Sequence, residues 1–445
     1  MLTSASGYPV VVRVFALLIC CLPVFSSSVT IRNVNVVDVE TGDVRKGVNV
    51  VIDRGYITSV GVAPKPKSSI DGKGRYLIPG LWDMHVHLWP QKALLGSYVA
   101  SGVLGVRDMG SNFARTKEWR ESVEAARKIG PRIYTSGTPV DGPGLEVATM
   151  EVVRAGSPDA ARRAVDAIDR QGVDFVNILS ALSRDSYYAL AQRARVIRAV
   201  FAGHVPDAVT VSQALDARQK SMEHLLGIAF ACSSEEAELR EARLLAIDAK
   251  DEAALSQIRL RSYNTFSEAK ATDLFKRMAR FDVWQTPTLT VRKQAEAEYE
   301  FNQRVVKLMQ SYGVGLLAGT DSGEPHVAPG SSLHKELEAF VKAGLTPAQA
   351  LRTATINPAR YFGSEVRAGS IAPGKRADLV LLDANPLDDI RNTRRIASVI
   401  VRGRLLDGKE LKRVSKETEA TWRGDTPFTE VLPKPPRQRR KPRKR

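Results

Sequence analysis

Four histidines and one aspartate lie at the ends of segments that the sequence predicts to be β-strands. They are His85, His87, His204, His224 and Asp321. One residue separates His85 from His87, so on a strand both imidazoles point to the same face. If the strands close into a parallel barrel, all five side chains meet at its carboxyl-terminal rim, where barrel enzymes place their chemistry. Imidazoles and carboxylates bind metal ions and transfer protons.

The segment that carries these residues, 77–363, alternates short apolar strands with amphipathic helices. The eight strand candidates are Leu77–His85, Val103–Asp108, Arg132–Ser136, Phe175–Leu179, Val200–His204, Ser221–Leu225, Val283–Thr290 and Val314–Asp321. Ser157-Pro158 and Thr346-Pro347 have the N-cap and first-turn pattern of helix starts. Eight such units in this length favour a TIM barrel, a (β/α)8 fold of the α/β class, over an open doubly wound sheet.

Short β segments flank the barrel on both sides. Residues 29–76 contain alternating strands with tight turns at Thr41-Gly42-Asp43 and Asp53-Arg54-Gly55. A similar β unit follows in 364–412, with strands near Ala377–Asp383 and Ile396–Val401. The two segments predict one small β-sandwich domain that is assembled from both ends of the chain.

Two further segments are distinguished by composition. Residues 228–266 exceed an ordinary connection and are rich in Glu, Ala and Arg, so we expect helices above the barrel mouth. They form either a substrate lid or a surface helical insertion. Residues 413–445 are expected to be a basic, Pro-rich disordered tail, which is either simply solvated or a tether to anionic surfaces.

The amino terminus has the pattern of a secretory signal peptide. Arg13 precedes the apolar run Val14–Phe25, and three serines follow, so we expect residues 1–28 to be removed on export to a periplasmic or extracellular location. The twelve-residue run is too short to span a bilayer comfortably, although an uncleaved anchor or a buried first helix is the alternative. After cleavage near Ser28 the chain keeps only Cys232, which excludes an internal disulfide.

The net charge does not indicate a nucleic-acid partner. The chain has 445 residues, 43% of them hydrophobic, and a formal net charge of +16. Eight cations and no acid lie in Lys434–Arg445, so half of the excess belongs to the tail, and no aromatic-basic recognition motif accompanies it. The length and hydrophobic content exclude a peptide hormone, a disulfide scaffold and a disordered chain. No transmembrane segment is expected after signal removal, and a homo-oligomer is an open alternative.

Motifs along nearly the whole mature chain carry a resemblance to a known family. They are VNVVIDRGYITSVG, PGLWDMHVHL, GVRDMG, GVDFVNI, FAGHVPDA, SMEHL, AGTDSG, LTPAQALRTATINPARYFG and GSIAPGKRADLVLLDANPL. The sequence resembles the metal-dependent amidohydrolase superfamily, specifically its imidazolonepropionase-like and peptidase-like members. The resemblance implies hydrolysis of amide, ester or cyclic amidine-like bonds with Zn²⁺ or a similar divalent ion.

The resemblance also implies a set of metal ligands. In binuclear members His85, His87 and Asp321 would hold one ion, and His204 and His224 a second. A carbamylated lysine at the end of the fourth strand bridges the two ions in those members, but Asn177 occupies the matching position here. Asparagine is neutral and too short to bridge, and no lysine lies between Lys128 and Lys220.

The mononuclear members of the superfamily therefore provide the preferred interpretation. One ion, most readily zinc, would be bound by His85, His87, His204 and Asp321, with His224 either behind these ligands, without a bond to the metal, or in contact with the bound water. Asp321 would take a proton from that water and later deliver it to the leaving nitrogen, and His224 would polarise the substrate carbonyl. Manganese, iron, cobalt and nickel also suit these ligands.

The remaining polar candidates have alternative roles. Arg107, at the second strand end, would contact a substrate carboxylate or form an internal ion pair. Asn177 would contact metal or substrate through its amide, or be a neutral remnant. His326 and His334 lie beyond the eighth strand, and His334 is expected to be a surface or structural residue at a helix start.

The sequence thus predicts an exported metal-dependent hydrolase that acts on a non-aromatic C–N bond of a small molecule, such as an amide, small peptide or cyclic amide. One alternative is a catalytically degenerate member that binds a ligand without turnover, with Asn177 as the trace of lost catalysis. The other alternative is a deaminase or esterase that uses the same site.

Overall fold

The fold is described from a computed structural model of the chain. It describes residues 28–61, 69–88, 95–143, 151–291, 296–324 and 327–422, with the side chains of 417–422 excepted. The predicted signal sequence up to residue 27, His326 and the tail from residue 423 lie outside the described residues. In the part of the chain that is described, no helix has the length and apolar character needed to cross a membrane.

Strands from both ends of the chain form one large sheet. The strands of the molecule are β1 Val29–Val37, β2 Val44–Asp53, β3 Tyr56–Gly61, β4 Ser69–Asp71, β5 Tyr76–Pro79, β6 Leu81–Val86, β7 Val103–Asp108, β8 Arg132–Thr135, β9 Val140–Asp141, β10 Val153–Arg154, β11 Val176–Ile178, β12 Phe201–Gly203, β13 Ser221–Glu223, β14 Trp284–Thr286, β15 Leu379–Leu382, β16 Ile396–Val401 and β17 Arg404–Leu406. The large sheet has eight strands in the order β17-β16-β15-β5-β1-β2-β3, with β4 paired to β1. Strand β5 pairs with β15 and β1, so it joins the two ends of the chain.

The sequence predicts a two-layer sandwich here, whereas the structure has one continuous sheet. Ile31 and Val50 from the amino-terminal strands share an apolar cluster with Leu379 and Ile400 from the carboxyl-terminal strands. Leu77 of β5, which lies between β15 and β1, belongs to the same cluster, so both ends of the chain share one apolar core. Register shifts between β1 and β2 and within β15–β16 bend these strands and increase their twist.

The middle of the chain forms two parallel sheets. One contains β6-β7-β8, and the other contains β10-β9-β11-β12-β13-β14. The backbone N–H of Asp174 donates to the carbonyl of Thr135 at 2.9 Å, which connects the two sheets. On the other side Gln285 bridges Leu316, and Ser322 bridges Val86. These bonds bring the first and last parts of the predicted barrel together.

The eighth predicted strand, Val314–Asp321, is represented in the described structure only by isolated bridges at Leu316 and, just beyond it, at Ser322. Asp321 adopts a left-handed backbone conformation with φ of 61°, which interrupts an extended strand. The first predicted strand, Leu77–His85, is also interrupted. Pro79 lacks an N–H, and Gly80 N–H bonds to Asp378 O at 2.8 Å, so β5 ends in the large sheet before β6 begins.

Helices cover the parallel strands. They are α1 Leu95–Ala100, α2 Phe113–Glu124, α3 Pro158–Asp169, α4 Arg184–Ile197, α5 Val211–Asp216, α6 Ile228–Ala231, α7 Glu236–Ala249, α8 Glu252–Asn264, α9 Glu268–Arg280, α10 Glu296–Ser311, α11 Ser331–Lys342, α12 Pro347–Thr353, α13 Ile356–Tyr361 and α14 Gly408–Trp422, with a 3-10 helix at Ile390–Arg394. Ser157 accepts from Ala160 N–H at the start of α3, and Thr346 forms a capping box at the start of α12. Both predicted helix starts are therefore confirmed.

The long insertion is helical as expected. Helices α6, α7 and α8 lie within it, and Arg243 on α7 bonds to Asp207 Oδ1 at 2.8 Å, which ties the insertion to the loop after β12. Cys232 is free and buried, and burial raises its pKa to about 12, so the thiol is inert at neutral pH. The role of this insertion as a substrate lid stays a prediction.

The predicted disordered tail begins too early. Helix α14 runs to Trp422, ten residues into the segment 413–445. Asp407 Oδ1 accepts from the N–H groups of Lys409 and Glu410 at 2.9 Å, which caps the helix start. Leu411 and Val414, three residues apart, are buried. This helical spacing of apolar residues predicts an amphipathic helix, but the many charged residues around them made the segment resemble a disordered tail.

Candidate metal centre

His85, His87 and Asp321 form a compact buried group. Single donor atoms of the three side chains all lie within 4.8 Å of one another. Asp321 Oδ1 lies 3.4 Å from His85 Nε2 and 3.2 Å from His87 Nε2. The histidines come from the end of β6 and the residue after it, and Asp321 comes from the segment that bridges back to β6. Two imidazoles and one carboxylate oxygen therefore converge on one point.

The second ring nitrogen of each of these histidines is engaged elsewhere. His85 Nδ1 lies 2.9 Å from Glu223 Oε2, and His87 Nδ1 lies 3.2 Å from Gly110 O. Ionised carboxylates and carbonyls only accept hydrogen bonds, so both Nδ1 atoms must donate. In the neutral imidazole the lone pair then lies on Nε2, the atom that faces Asp321. This is the tautomer needed for metal coordination through Nε2.

The backbone near the site adopts uncommon conformations. His224, Leu225 and Asp321 have φ of 62°, 58° and 61°. Hydrogen bonds hold two of them: Asp321 N–H donates to His85 O at 2.8 Å, and His224 N–H donates to Thr286 O at 2.8 Å. Non-glycine residues held at positive φ cost about 1–3 kcal/mol each and concentrate at functional sites. Here they turn the His224 and Asp321 side chains towards each other.

His224 lies next to the compact group. Its Nδ1 is 2.7 Å from Thr288 Oγ1 and 3.8 Å from Asp321 Oδ2. Its ring centroid is 4.5 Å from that of His85. His204 lies further out: its ring centroid is 5.1 Å from that of His224, and its Nδ1 is 2.8 Å from Ser180 Oγ. The rings thus form a row, and His204 is outside the compact group of three.

Charge within the site favours the ionised form of Asp321. Burial opposes ionisation, but attraction to His85 and His224 and the hydrogen bond from His87 outweigh it and hold the pKa of Asp321 well below its usual range. Burial likewise opposes the charge on His87, but its bond to Asp321 and the negative charge there raise the pKa of His87 to about 9. A proton between His87 Nε2 and Asp321 Oδ1 and a metal ion bound there exclude each other, so metal binding would release this proton.

Two buried aspartates hold the backbone that carries the ligands. Asp83 Oδ1 accepts from Thr320 N–H at 3.0 Å and Asp83 Oδ2 from Thr320 Oγ1 at 2.6 Å, next to Asp321. Asp108 Oδ1 accepts from Leu88 N–H at 3.0 Å, next to His87. Burial has the largest effect on the pKa of Asp83 and raises it to about 7, although the hydrogen bonds from Thr320 lower it. Burial also raises the pKa of Asp108.

The structure places Arg107 in an internal ion pair. Its side chain is fully buried, and NH2 lies 2.8 Å from Glu223 Oε1. The other donors bond Met84 O, Ser221 and Tyr361, so none is left for a substrate carboxylate. The substrate-binding role considered for Arg107 is therefore wrong for this geometry, and the ion-pair alternative describes it.

Glu223 was not singled out from the sequence. Its oxygens contact His85, Arg107 and Ser221. Burial opposes its ionisation, but the charge of Arg107 and the bond from His85 lower the pKa of Glu223 to about 2. The signal in the sequence was the lone arginine in the apolar strand GVRDMG, because a buried guanidinium requires an anionic partner.

Asn177 lies on β11 and is buried. Its Nδ2 donates to Met109 O, and its Oδ1 has no hydrogen-bond partner among the described residues. A buried amide oxygen without a partner is costly, so it is a candidate contact for a ligand donor or a water. His334 is also buried, bonded to Ser101 O and Thr393, which makes it structural rather than exposed.

The donor set fits a divalent transition metal. Neutral imidazole nitrogens and a carboxylate oxygen are common ligands for zinc. The Nδ1 atoms of His85 and His87 hydrogen-bond to Glu223 and Gly110 O, and metal-binding histidines usually have such supporting contacts. Chemically, the arrangement offers a cation site with one carboxylate oxygen left over, Asp321 Oδ2, to handle a proton.

The chain belongs to the amidohydrolase family, whose model matches residues 76–406. Its fold is thus the α/β amidohydrolase fold, normally a TIM barrel, with a separate β-rich part formed by the large sheet. Members of this family are usually metal-dependent, in agreement with the His85, His87 and Asp321 group.

Curated relatives and solved structures are similar over different lengths. The ochratoxinase of Aspergillus niger is 24% identical over 71% of this chain and 72% of its own. An adenine deaminase of Methanothrix thermoacetophila is 32% identical over 124 residues, which are 27% of this chain and only 21% of that protein. The bottromycin amidohydrolase structure has a TM-score of 0.68 at 23% identity and covers 88% of this chain and 90% of its own. A putative prolidase from Bifidobacterium longum has a TM-score of 0.65 at 22% identity, covering 88% and 99%.

Proposed function

We propose that this protein hydrolyses a non-aromatic C–N bond of a small molecule, such as an amide, small peptide or cyclic amide, with one divalent metal ion. The observation that carries the proposal is the convergence of His85 Nε2 and His87 Nε2 on Asp321 Oδ1. The names of an ochratoxinase, a prolidase and a bottromycin amidohydrolase among similar proteins support this class of bond. In this proposal the two parallel sheets form the wall of a closed TIM barrel.

His85, His87 and Asp321 would hold the ion, with His204 as a fourth ligand that completes the set. A bound divalent ion lowers the pKa of water towards about 7 and polarises a carbonyl group. We propose zinc as the ion. One ion is favoured over two because Asn177 is neutral and its Nδ2 already donates to Met109 O, so it offers no bridging anion.

The residues of the chain would then carry out the proton transfers. Asp321 Oδ2, which faces His224, accepts a proton from the attacking water. The water oxygen forms a bond to the carbonyl carbon while His224 stabilises the negative charge on the carbonyl oxygen. Asp321 then delivers the proton to the nitrogen as the C–N bond breaks, which yields a carboxylic acid and an amine.

The test is hydrolysis of a panel of dipeptides and N-acyl amino acids by zinc-loaded protein. We expect Asp321→Asn to reduce kcat/KM by at least about 10²-fold on every substrate that the wild type cleaves, because it loses both a ligand and a proton acceptor. Asp159→Asn, the same change at an exposed position on α3, is the matched control and should retain activity. Equal turnover by the Asp321→Asn protein would contradict the proposal.

Deamination is a second candidate, favoured by the local similarity to adenine deaminases. In this reaction a water would attack an amidine carbon, Asp321 would take up its proton and pass it to the exocyclic nitrogen, and ammonia would be released; a metal ion held by the same residues would polarise the water. Ammonia release from adenine or related aminopurines, without cleavage of any amide in the panel, would support this candidate over the first.

We also propose that the chain is exported and that residues 1–28 are removed. The charged residue, apolar run and serines at the amino terminus support this proposal. Amino-terminal sequencing of protein recovered from its native host should give a first residue near Val29. A mature protein that retains Met1 would contradict cleavage.

A further inference from the structure

We propose that Glu223, oriented by Arg107, is a positioning residue that fixes the tautomer of His85 and so makes its Nε2 a metal ligand. The inference rests on the proposed metal site and deepens it. Glu223 and Arg107 make no contact with the point where the metal would lie. They would act on the metal site only through the protonation of His85.

The first step is the contact between Glu223 and His85. Glu223 Oε2 lies 2.9 Å from His85 Nδ1, and both side chains are buried. A carboxylate has no hydrogen to donate, so the proton of the neutral imidazole must lie on Nδ1. The lone pair of His85 then lies on Nε2, which faces Asp321 Oδ1 at 3.4 Å.

The second step is the contact between Glu223 and Arg107. Arg107 NH2 lies 2.8 Å from Oε1 and 2.9 Å from Oε2, so the guanidinium contacts both carboxylate oxygens. Arg107 is itself fixed, because Nε donates to Met84 O at 2.6 Å and NH1 donates to Tyr361 Oη at 3.0 Å. The carboxylate is therefore fixed in rotation as well as in position.

Water is excluded from this pair. Arg107 and Glu223 have 0% side-chain exposure, and the Arg107 guanidinium lies 5.0 Å from the ring centroid of Tyr361 and 5.8 Å from that of Phe175. Trp82 and Trp284 belong to the same aromatic cluster as Tyr361. A water molecule has no access to replace either partner, so the orientation of His85 depends on the pair itself.

This geometry predicts a specific result for Glu223→Leu. Leucine cannot accept a hydrogen bond from His85 Nδ1, so Asp321 Oδ1, 3.4 Å from Nε2, would be the carboxylate oxygen that remains beside the ring. The proton of the neutral His85 would then move to Nε2, where it blocks coordination. The change would therefore invert the tautomer of His85 without removing any metal ligand.

The experiment measures Zn²⁺ affinity of the full chain by competition with a chelator. We expect Glu223→Leu to bind Zn²⁺ about 10–100-fold more weakly than the wild type, the range typical of lost supporting contacts. Glu336→Leu is the matched control, because Glu336 is equally buried but bonds the backbone N–H groups of Leu289 and Thr290. Its Zn²⁺ affinity should stay within about threefold of the wild type.

A second readout reports the tautomer directly. Long-range ¹H–¹⁵N imidazole spectra of chelator-treated protein should show His85 protonated at Nδ1 in the wild type and at Nε2 in Glu223→Leu, with His85→Gln used to assign the signal. A merely structural role of the pair would lower stability without changing the tautomer. An unchanged tautomer in Glu223→Leu would therefore overturn the proposal, whatever the Zn²⁺ affinity of the variant.

The double variant Arg107→Met/Glu223→Leu covers the case in which the single variant fails to fold. Removing both charges leaves no unpaired buried ion, a change that proteins often tolerate. The double variant also lacks the carboxylate that accepts from His85 Nδ1, so the proton of His85 should again lie on Nε2. An Nδ1-protonated His85 in the double variant would count against the proposal. A wild type that binds no Zn²⁺ would refute the proposed function, while the tautomer readout would still decide this inference.

Discussion

Asp321 presents its two oxygens to different partners. Oδ1 faces the Nε2 atoms of His85 and His87, whereas Oδ2 faces His224. The positive φ of both Asp321 and His224 produces this arrangement. One oxygen is thus available to bind a cation and the other to accept a proton. The proposed hydrolysis requires both roles of Asp321.

At the residue scale, His224 should be needed for turnover and not for metal binding. We expect His224→Gln to lower kcat by about 10²–10³-fold, the usual cost of removing one group that stabilises a developing oxyanion. The metal content should be unchanged, because His224 lies outside the compact group. Steady-state kinetics with parallel metal analysis measures both quantities.

The matched control is His334→Gln, which changes another buried histidine whose ring bonds Thr393 and Ser101 O and not the proposed ligands. It should retain the kcat of the wild type. If His224→Gln lost its metal together with its activity, His224 would be a ligand, and the proposed role in carbonyl polarisation would be wrong.

The sequence identifies single side chains better than it identifies their support. His85, His87 and Asp321 could be selected because the ends of parallel strands meet at one rim. Glu223 was missed because a glutamate beside a histidine in a strand does not reveal which partner it faces. Glu223 and Arg107 lie on strands of different sheets, β13 and β7, so the local sequence of neither strand reveals the pair.

At the element scale, the local pattern predicts where helices begin more reliably than where strands end. Ser157 and Thr346 cap α3 and α12 as expected, because a cap depends on a few adjacent residues. The prediction of a continuous eighth strand failed because strand pairing there depends on distant partners and because the backbone turns left-handed at Asp321. The start of the tail was misplaced because charge concealed the buried spacing of α14.

Helix α11 is held by His334, and this contact should make stability depend on pH. Burial and the nearby charge of Arg394 lower the pKa of His334 to about 4, against the bond to Ser101 O. A histidine with a depressed folded pKa stabilises the fold above its unfolded pKa of about 6.5. That stability is lost as the pH falls from about 6.5 towards 4, with a slope of up to about 1.4 kcal/mol per pH unit.

His334→Gln should remove this part of the pH dependence, because glutamine can bond Ser101 O and Thr393 without titrating. Urea unfolding between pH 7 and pH 4 measures the free energy of unfolding for both proteins. Parallel curves for wild type and variant would show that His334 does not contribute.

Helix α14 should contribute to stability through its buried face. Leu411→Ala is expected to lower the free energy of unfolding by about 2–5 kcal/mol, because Leu411 packs in the main apolar cluster. Its neighbour Lys412 is exposed, so Lys412→Ala should change stability by less than about 0.5 kcal/mol. Equal effects of the two changes in urea unfolding would show that this helix does not dock.

At the scale of the whole molecule, the β-rich sheet and the metal-site strands share one core. Val37 and Val380 from the large sheet belong to the same apolar cluster as Val106 and Met222 from the parallel strands. Strand β5 leads directly into β6, so the first metal ligands follow the large sheet without a linker. The sheet therefore serves as a base that fixes the first strand of the site.

The central claim is that His85, His87 and Asp321 hold one divalent ion. The most direct test is the metal content of the purified full-length chain, measured by mass spectrometry after loading with Zn²⁺ and removal of excess metal, in the wild type and in His87→Asn. The account predicts about one equivalent per wild-type chain and almost none in the variant, because His87 is one of the three side chains of the compact group and its loss leaves the site incomplete. No bound metal in the wild type, or two equivalents beside an unmodified Asn177, would contradict it.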